Sequence, residues 1–436
     1  MESRNVVYLL SIFGLILFLF SYYSLSFKRG YKFDLWHMAL IISLVTPFFV
    51  ISFFTYDIKN MQYIGGAYYS ALPYVEKAAF INIIGFLFLY VGLFIHDMYA
   101  RKRIVEIEKV YINFKQGIKS FFVYKTINLI NIIMTLLVIM IYGLFTIKYG
   151  FTLNFRTFLL NDNLLRPIFN FTLTFANIFI LSNLCLYIYT KKYKYIFYAL
   201  IFCAPTFFSG SRSSLLWPIV YFIVVLAIHY RHKLKMITIL ITGGVLFVVA
   251  IMLSKLRSLN TTNARQTGVF DSILYGNNFS DLRDFAWLLS GFQDSFLNGR
   301  TYLAALLTFL PSSISEYRSE FSYARATLKF VGIDPDHHAG LRGGIFAESY
   351  FNFGFIGVML GGIVIGFALR YLDVKMKEYM SKGNSDIMDI GSVMIMYSFL
   401  QAFMITSGFW KAYFIFAIAV AGLLIATFLR KKLKPI

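Results

Sequence analysis

Residues 346–371 read FAESYFNFGFIGVMLGGIVIGFALRY, an apolar run with one carboxylate, Glu348, near its start and no further charge before Arg370. A membrane-spanning helix needs about twenty mostly apolar residues, so the run is long enough to be one. Its glycines include two GxxxG pairs, a spacing that lets a neighbouring helix pack closely: Gly354, Gly357, Gly361, Gly362 and Gly366. We therefore predict a transmembrane helix that has a face of small residues and carries a charge near its N-terminal end.

A long polar segment, residues 255–345, leads into this run. It contains seven arginines but two lysines, and eight acidic residues leave it nearly neutral. Loops of this length are usually functional or disordered, and charges at the lip of a membrane helix are costly unless they serve a function. Arginine binds phosphate through two parallel hydrogen bonds, which lysine cannot do. The arginine preference indicates phosphate binding, although each arginine can equally pair with an acid of the segment.

The composition of the chain indicates a membrane protein. Hydrophobic residues make up 58% and charged residues 14%, against roughly 45–50% and about 25% in soluble domains. We predict an all-α polytopic membrane protein that forms one integral membrane domain, 1–436, with about eleven (10–12) transmembrane helices. The long, partly helical external loop 255–345 lies between helices 8 and 9. The predicted spans are 5–26, which we expect to be retained, then 35–55, 76–97, 122–147, 167–190, 195–209, 214–230, 236–254, 346–371, 389–408 and 411–429.

The net charge of +20 does not predict nucleic-acid binding, because the basic residues fall in short clusters between apolar runs. Positive clusters mark cytoplasmic loops. They lie at 27–34, 98–120, 191–194, 231–235 and 370–388 and in the C-terminal tail. The polar segment is then external, which in a bacterium places it on the periplasmic side of the cytoplasmic membrane. Neither a disulfide framework nor metal-ligand spacing is present in the sequence, and we expect no cofactor.

A second candidate site is the turn Ser209-Gly210-Ser211-Arg212-Ser213-Ser214 between two apolar runs. Small residues let backbone N–H groups approach an anion, and the hydroxyls of Ser211 and Ser213 can donate further hydrogen bonds. We interpret Arg212 as a phosphate-binding residue at the outer membrane boundary. The alternative is a tight turn between helices with a lone interfacial charge.

Within the polar segment, 281–298 and 299–310 are predicted as short helices, with Arg283 and Arg300 at their starts pointing into a cavity above the bundle. Later in the segment, His337 and His338 stand in a glycine-rich turn that also contains Arg342. His338 and Glu348 are candidate acid–base groups, since both types accept a proton from a hydroxyl when suitably placed. A surface turn for the histidines, and stabilisation of a helix N-terminus by Glu348, are the competing interpretations.

Three motifs resemble those of the O-antigen polymerase family, the Wzy-type oligosaccharide repeat-unit polymerases. They are Gly210-Ser211-Arg212, Gly299-Arg300-Thr301-Tyr302-Leu303 followed by Phe309-Leu310-Pro311, and Glu348-Ser349-Tyr350-Phe351-Asn352-Phe353-Gly354-Phe355-Ile356-Gly357. The resemblance covers roughly 205–370. Arg257, with Gly268 after ten intervening residues, is similar to an Arg-x10-Gly pattern of some members, but no clear second copy is present.

The resemblance implies a metal-independent membrane glycosyltransferase that uses no nucleotide sugar. It would transfer a growing glycan from undecaprenyl diphosphate to an incoming lipid-linked repeat unit, as in O-antigen or capsule synthesis, with a chain-length regulator as a further partner. Arg212, together with Arg257, Arg300 or Arg342, would neutralise the diphosphate, and His338 or Glu348 would activate the acceptor hydroxyl. Ser211, Ser213, His337 and Tyr350 would support them.

Three alternatives stay open at this stage. An O-antigen ligase uses the same donor with lipid A-core as acceptor, and His338 is compatible with it. A flippase for the lipid-linked unit would be expected to show internal repeats and charges at mid-membrane depth. A glycosyltransferase with a polyprenyl-monophosphate donor would be expected to show adjacent acidic residues in the first outer loop, where Asp57 and Glu76 stand apart.

Overall fold

A computed structural model describes residues 2–29, 35–100, 125–150, 191–208, 269–277, 279–293, 295–310, 315–334, 340–380 and 387–410, and single helical positions in 168–190, 241–244 and 414–428. Every regular element in these ranges is helical. The α-helices are α1 (Glu2–Leu25), α2 (Leu35–Leu40), α3 (Met61–Ile64), α4 (Ala67–Ala71), α5 (Val75–Tyr99), α6 (Lys125–Tyr149), α7 (Lys194–Phe208), α8 (Val269–Leu274), α9 (Asp281–Gly291), α10 (Arg300–Leu306), α11 (Glu316–Phe321), α12 (Tyr323–Phe330), α13 (Gly344–Met380) and α14 (Ile387–Phe403).

Four helical stretches are long and apolar enough to cross a membrane: Glu2–Leu25, Ala67–Tyr99, Asn131–Tyr149 and Gly344–Tyr379. They coincide with the predicted spans 5–26, 76–97, 122–147 and 346–371. The helical class and several apolar helices able to cross a membrane are thereby confirmed. Two further predicted spans, 214–230 and 236–254, lie almost wholly outside the described residues, so the number of about eleven stays a prediction.

The predicted span 35–55 is helical but does not form one straight helix. After α2 the chain continues as a π-helix, Ile41–Val50, which contains Pro47. Proline has no backbone N–H and cannot keep the regular hydrogen-bond pattern of an α-helix. Beyond Phe54 the helical axis bends by 115° into Ile58–Ile64. This stretch is therefore a broken span or a re-entrant element.

The chain divides into two compact units. One comprises Met1–Ile107, Phe270–Tyr379 and Gly391–Ile436, and the other comprises Glu108–Val269 and Met380–Ile390. In the second unit, Val138, Ile180 and Phe202 form a buried apolar cluster. The carboxamides of Asn131 and Asn183, also buried, donate to each other at 2.6 and 3.0 Å. In lipid, apolar side chains gain little by packing on another helix, so hydrogen bonds between helices contribute to holding them together.

In the first unit, α5 and α13 run in the same direction and approach closely. A methyl group added to Gly366 would lie 2.0 Å from the carbonyl oxygen of Leu89, and one added to Gly362 would lie 2.8 Å from that of Gly85. At these two positions the packing predicted from the glycine spacing is confirmed. Only glycine permits this separation, because any Cβ would force the two backbones apart.

Farther along the same two helices, a buried cluster of charges joins α5 to α13. Arg370 donates to Asp97 at 2.7 Å and to Asp373 at 2.7 Å, and Lys377 donates to Asp373 at 2.8 Å. Buried charges are tolerated when each is paired and hydrogen-bonded. The cluster marks the end of the apolar part of α13.

Candidate active site at a broken membrane helix

The helix α13 is interrupted at Phe353 and Gly354, so the predicted continuous span 346–371 is wrong at this point. Phe353 has φ −142° and ψ 16°, and Gly354 has φ 63° and ψ −152°. Gly354 thus adopts a left-handed conformation that residues with a Cβ rarely reach. The break separates a short arm, residues 344–352, from a long arm, residues 355–380.

The short arm folds back against the beginning of the long arm. A methyl group on Gly357 would lie 2.5 Å from the carbonyl oxygen of Ser349, and one on Gly361 would lie 3.0 Å from its hydroxyl. In an unbroken helix, positions eight and twelve residues apart would be about 12 and 18 Å apart along the axis. Gly357 and Gly361 therefore accommodate the return of the chain upon itself, rather than a separate neighbouring helix.

The polar segment completes the hydrogen bonds at the end of the short arm. The backbone N–H groups of Leu297 and Asn298 donate to the carbonyls of Phe351 and Asn352 at 2.9 and 3.1 Å, and that of Gly299 donates to the Asn352 side chain at 2.9 Å. Asn298 and Gly299 both have positive φ, 47° and 81°, which turns the chain into α10. The last carbonyls of a helix need such partners.

Glu348, on the short arm, is buried and connects three parts of the chain. Its carboxylate accepts hydrogen bonds from the Thr301 hydroxyl at 2.7 Å, from the Ser407 N–H at 2.7 Å and from the Ser407 hydroxyl. Its side chain is 1% exposed. Thr301 belongs to the polar segment, and Ser407 begins the turn after α14. Three donors compensate the loss of water around this carboxylate.

Neighbouring side chains extend the Glu348 network. Asn352 donates to the Thr301 hydroxyl at 2.8 Å, and the hydroxyls of Tyr302 and Ser349 share a hydrogen bond of 3.0 Å. Tyr302 also stacks on Trp410, with ring centroids 6.1 Å apart. Hydrogen bonds from Thr301 and Tyr302 thus fix the first turn of α10 to the short arm.

Two of the predicted phosphate-binding arginines, Arg300 and Arg342, are described and exposed. Arg300 is the first residue of α10, and its guanidinium carbon lies 4.9 Å above the ring centre of Phe321. Arg342 precedes the short arm by two residues. The positive charge of Arg342 lowers the pKa of Asp281, but burial is the larger effect and raises that pKa to about 6.

Arg283 does not face an open cavity, contrary to our prediction. Its side chain is 5% exposed and donates to Asn60 and Asn277 at 3.1 and 3.0 Å, to the Tyr275 carbonyl, and to Asp284. Asn60 belongs to the bent span and Tyr275 to the polar segment. Arg283 therefore joins the polar segment to the bent span through hydrogen bonds. The helix that contains Arg283, α9, ends at Gly291, earlier than the predicted residue 298.

The other predicted site residues divide between the described and undescribed parts of the chain. Tyr350 is buried, and its ring packs edge-on against the rings of Phe292 and Phe296. Residues outside the described ranges are Ser211, Arg212, Ser213, Arg257, His337 and His338. Within the described ranges no group of three or more His, Cys, Asp or Glu side chains is placed to hold a metal ion.

Sequence reasoning did not identify Thr301 and Ser407 as partners of Glu348. Thr301 and Ser407 stand 47 and 59 residues away from Glu348 in the chain, so no local sequence pattern links either hydroxyl to the carboxylate.

No family model, no curated protein and no solved structure matches this chain.

Proposed function

We propose that the protein is a glycosyltransferase of the bacterial cytoplasmic membrane that polymerises oligosaccharide repeat units carried on undecaprenyl diphosphate. One structural observation carries the proposal beyond the motif resemblance: the arginine-rich polar segment is hydrogen-bonded to the short arm of a broken membrane helix through Thr301 and Glu348. Broken helices and ionisable groups inside the apolar part of a protein are typical of sites that handle polar substrates at a membrane.

The proposed reaction needs cationic groups for its leaving group. The acceptor sugar hydroxyl attacks the anomeric carbon of the donor glycan, the bond from that carbon to the diphosphate oxygen breaks, and undecaprenyl diphosphate leaves with its negative charge. Arg300 and Arg342 are exposed, so both can meet a diphosphate. Fixed cations placed where negative charge develops lower the barrier of such a step. Arg212 and Arg257 keep the same role as predictions from the sequence.

The proton of the acceptor hydroxyl needs a base, for which Glu348 and His338 are the candidates. Glu348 is held by three donors and shielded by the surrounding residues. A buried carboxylate in that environment is suited to positioning α10, and therefore Arg300, against the short arm. We assign the base role to His338 and a positioning role to Glu348.

The test is reconstitution of the purified full-length protein in liposomes that contain lipid-linked repeat units from the producing organism. We expect a ladder of polymerised glycans without added nucleotide sugar. Arg300→Lys keeps the charge but loses the planar fork of donors, and it should slow ladder formation about a hundred-fold. The matched control is Lys329→Ala, which removes an exposed charge of the same segment and should leave the ladder unchanged.

Two results would overturn the proposal. Transfer that occurs only after lipid A-core is added would identify a ligase. Movement of the lipid-linked unit across the bilayer with no new glycosidic bond would identify a transporter.

A further inference from the structure

The long arm of α13 presents one apolar face to its surroundings. Ile356, Leu360 and Val364 are 65%, 58% and 64% exposed, and their spacing of four residues places them on one side of the helix. The opposite side carries Gly362 and Gly366, which pack on α5. In a helix able to cross a membrane, an exposed apolar face of this kind is a candidate for contact with lipid.

Exposed apolar side chains are also present at the break and in the turn of the polar segment that contacts it. Phe353 and Phe296 are 48% and 43% exposed. The Phe353 ring lies against Gly299, and the Phe296 ring lies against Gly354, so the two rings join the break to the turn before α10.

The helix α10, which follows this turn, exposes apolar side chains as well. Leu303 and Leu306 are 49% and 56% exposed, whereas Thr301, Ala304 and Ala305 on its other side are buried. A short helix that buries small residues and exposes its leucines is not built to face water. The strip formed by Phe296, Leu303, Leu306, Phe353 and Ile356 is named the apolar strip below.

The distance along the long arm gives the depth of the break. Gly354 precedes Arg370, the first charged residue after it, by sixteen positions, which corresponds to about 24 Å of helix. The hydrocarbon core of a bilayer is about 30 Å thick, and tilt of the helix only reduces the height gained. With Arg370 at one boundary of the core, the break lies short of the other boundary. The turn contacts the break through Phe296 and Gly299, and the first residues of α10 are hydrogen-bonded to the short arm, so both lie near the same depth.

We infer that the apolar strip contacts the acyl chains of the membrane leaflet farther from Arg370, so that α10 is inserted into lipid instead of standing in water. The backbone satisfies the condition that this depth imposes. Irregular backbone inside a bilayer must find hydrogen-bond partners within the protein, and the N–H groups of Leu297, Asn298 and Gly299 all do so. The long Arg300 side chain can extend its charge toward the head groups while its stem stays in apolar surroundings.

The experiment measures the surroundings of single nitroxide labels on the full-length protein in phosphatidylethanolamine–phosphatidylglycerol liposomes. Cys185 and Cys203 are replaced by alanine, and cysteines are introduced singly at Leu303 and Leu306. Leu360→Cys on the long arm is the lipid-facing control, and Glu320→Cys, an exposed position of α11, is the water-facing control. Accessibility to oxygen and to a water-soluble nickel chelate is then read by electron paramagnetic resonance.

We expect the labels at 303 and 306 to match that at 360, with high access to oxygen and several-fold lower access to nickel than at 320. Nickel access equal to that at 320 would overturn the inference, because it would place α10 in water. Low access to both reagents would also overturn it, since the strip would then be covered by protein. The measurement does not depend on catalysis, so its result and that of the polymerisation assay are independent.

Discussion

Thr301 donates its hydroxyl hydrogen to the carboxylate of Glu348 at 2.7 Å, although 47 residues separate them in the chain. The same hydroxyl accepts a hydrogen bond from Asn352. One small side chain of the polar segment thus satisfies two polar groups of the short arm. Because an uncompensated buried charge is costly, loss of the Thr301 hydroxyl should destabilise the attachment of the polar segment to the short arm.

Replacing Thr301 by valine tests this tie. Valine keeps the shape of the side chain but leaves the Glu348 carboxylate short of one donor and the Asn352 amide short of an acceptor. Leaving a buried polar group unpaired costs about 1–3 kcal/mol, and more for a charged group. We expect a lower unfolding temperature in detergent and faster proteolysis of the polar segment.

Thr301→Ser is the matched control, since serine keeps the hydroxyl that makes both bonds. It should retain most of the stability of the unsubstituted protein. Equal stability of the valine and serine variants would show that the Thr301 hydroxyl does not hold the segment to the short arm.

The structure also assigns Arg283 a purely structural role, which a second substitution tests. Arg283→Ala removes a buried cation that bonds Asn60, Asn277 and Asp284. Removing one member of a buried charged cluster typically costs about 3–5 kcal/mol. We expect strong loss of folded protein in the membrane fraction, measured by fluorescence-detected size exclusion of the solubilised protein.

Arg300→Ala provides the comparison for Arg283, because Arg300 is an exposed arginine in the same segment. Exposed substitutions usually change stability by less than about 0.5 kcal/mol. Arg300→Ala should therefore leave the amount of folded protein unchanged. A normal amount of folded Arg283→Ala protein would contradict the structural role of Arg283.

The sequence predicted four of the apolar helices in the described ranges, because an apolar stretch of this length is visible in local composition alone. It could not predict the break at Phe353 and Gly354, since the apolar run continues through both residues without a change in hydropathy. Glycines also permit close packing and chain reversal alike, so Gly357 and Gly361 did not distinguish the two. The partners of Glu348 were unpredictable for a different reason: Thr301 and Ser407 reach it only through tertiary folding.

The close approach of α5 and α13 at Gly366 leads us to expect that alanine destabilises the protein there but not at Gly143. Gly366→Ala would place a methyl group 2.0 Å from the Leu89 carbonyl oxygen, whereas no atom of the described residues, its own helix backbone aside, lies within 4 Å of a methyl group added to Gly143, in α6. Alanine in place of glycine normally stabilises a helix by roughly 0.5–1 kcal/mol. Overpacking costs typically about 1–3 kcal/mol.

Thermal unfolding in detergent should therefore show Gly366→Ala to be destabilised and Gly143→Ala to be unchanged or slightly more stable. If Gly366→Ala were as stable as Gly143→Ala, the two backbones would not be in the contact that the structure describes.

The last prediction concerns pH and Asp281. Burial raises the pKa of this carboxyl to about 6, with a further increase from Asp284 and opposing decreases from Arg342 and Arg283. In the unfolded chain its pKa is about 3.9. The folded state therefore binds the proton more tightly than the unfolded state. The stabilisation that results is complete below pH about 4 and is lost as the pH rises through about 6.

Asp281→Asn removes this titration while keeping a side chain of similar size. Other carboxylates contribute to stability with the opposite sign, so the informative quantity is the difference in unfolding temperature between the two proteins at each pH. We expect the asparagine variant to gain stability relative to the unsubstituted protein as the pH rises from 4 to 7, with most of the change below about 6. A difference that does not vary with pH would mean that Asp281 titrates at its ordinary pKa in the folded protein.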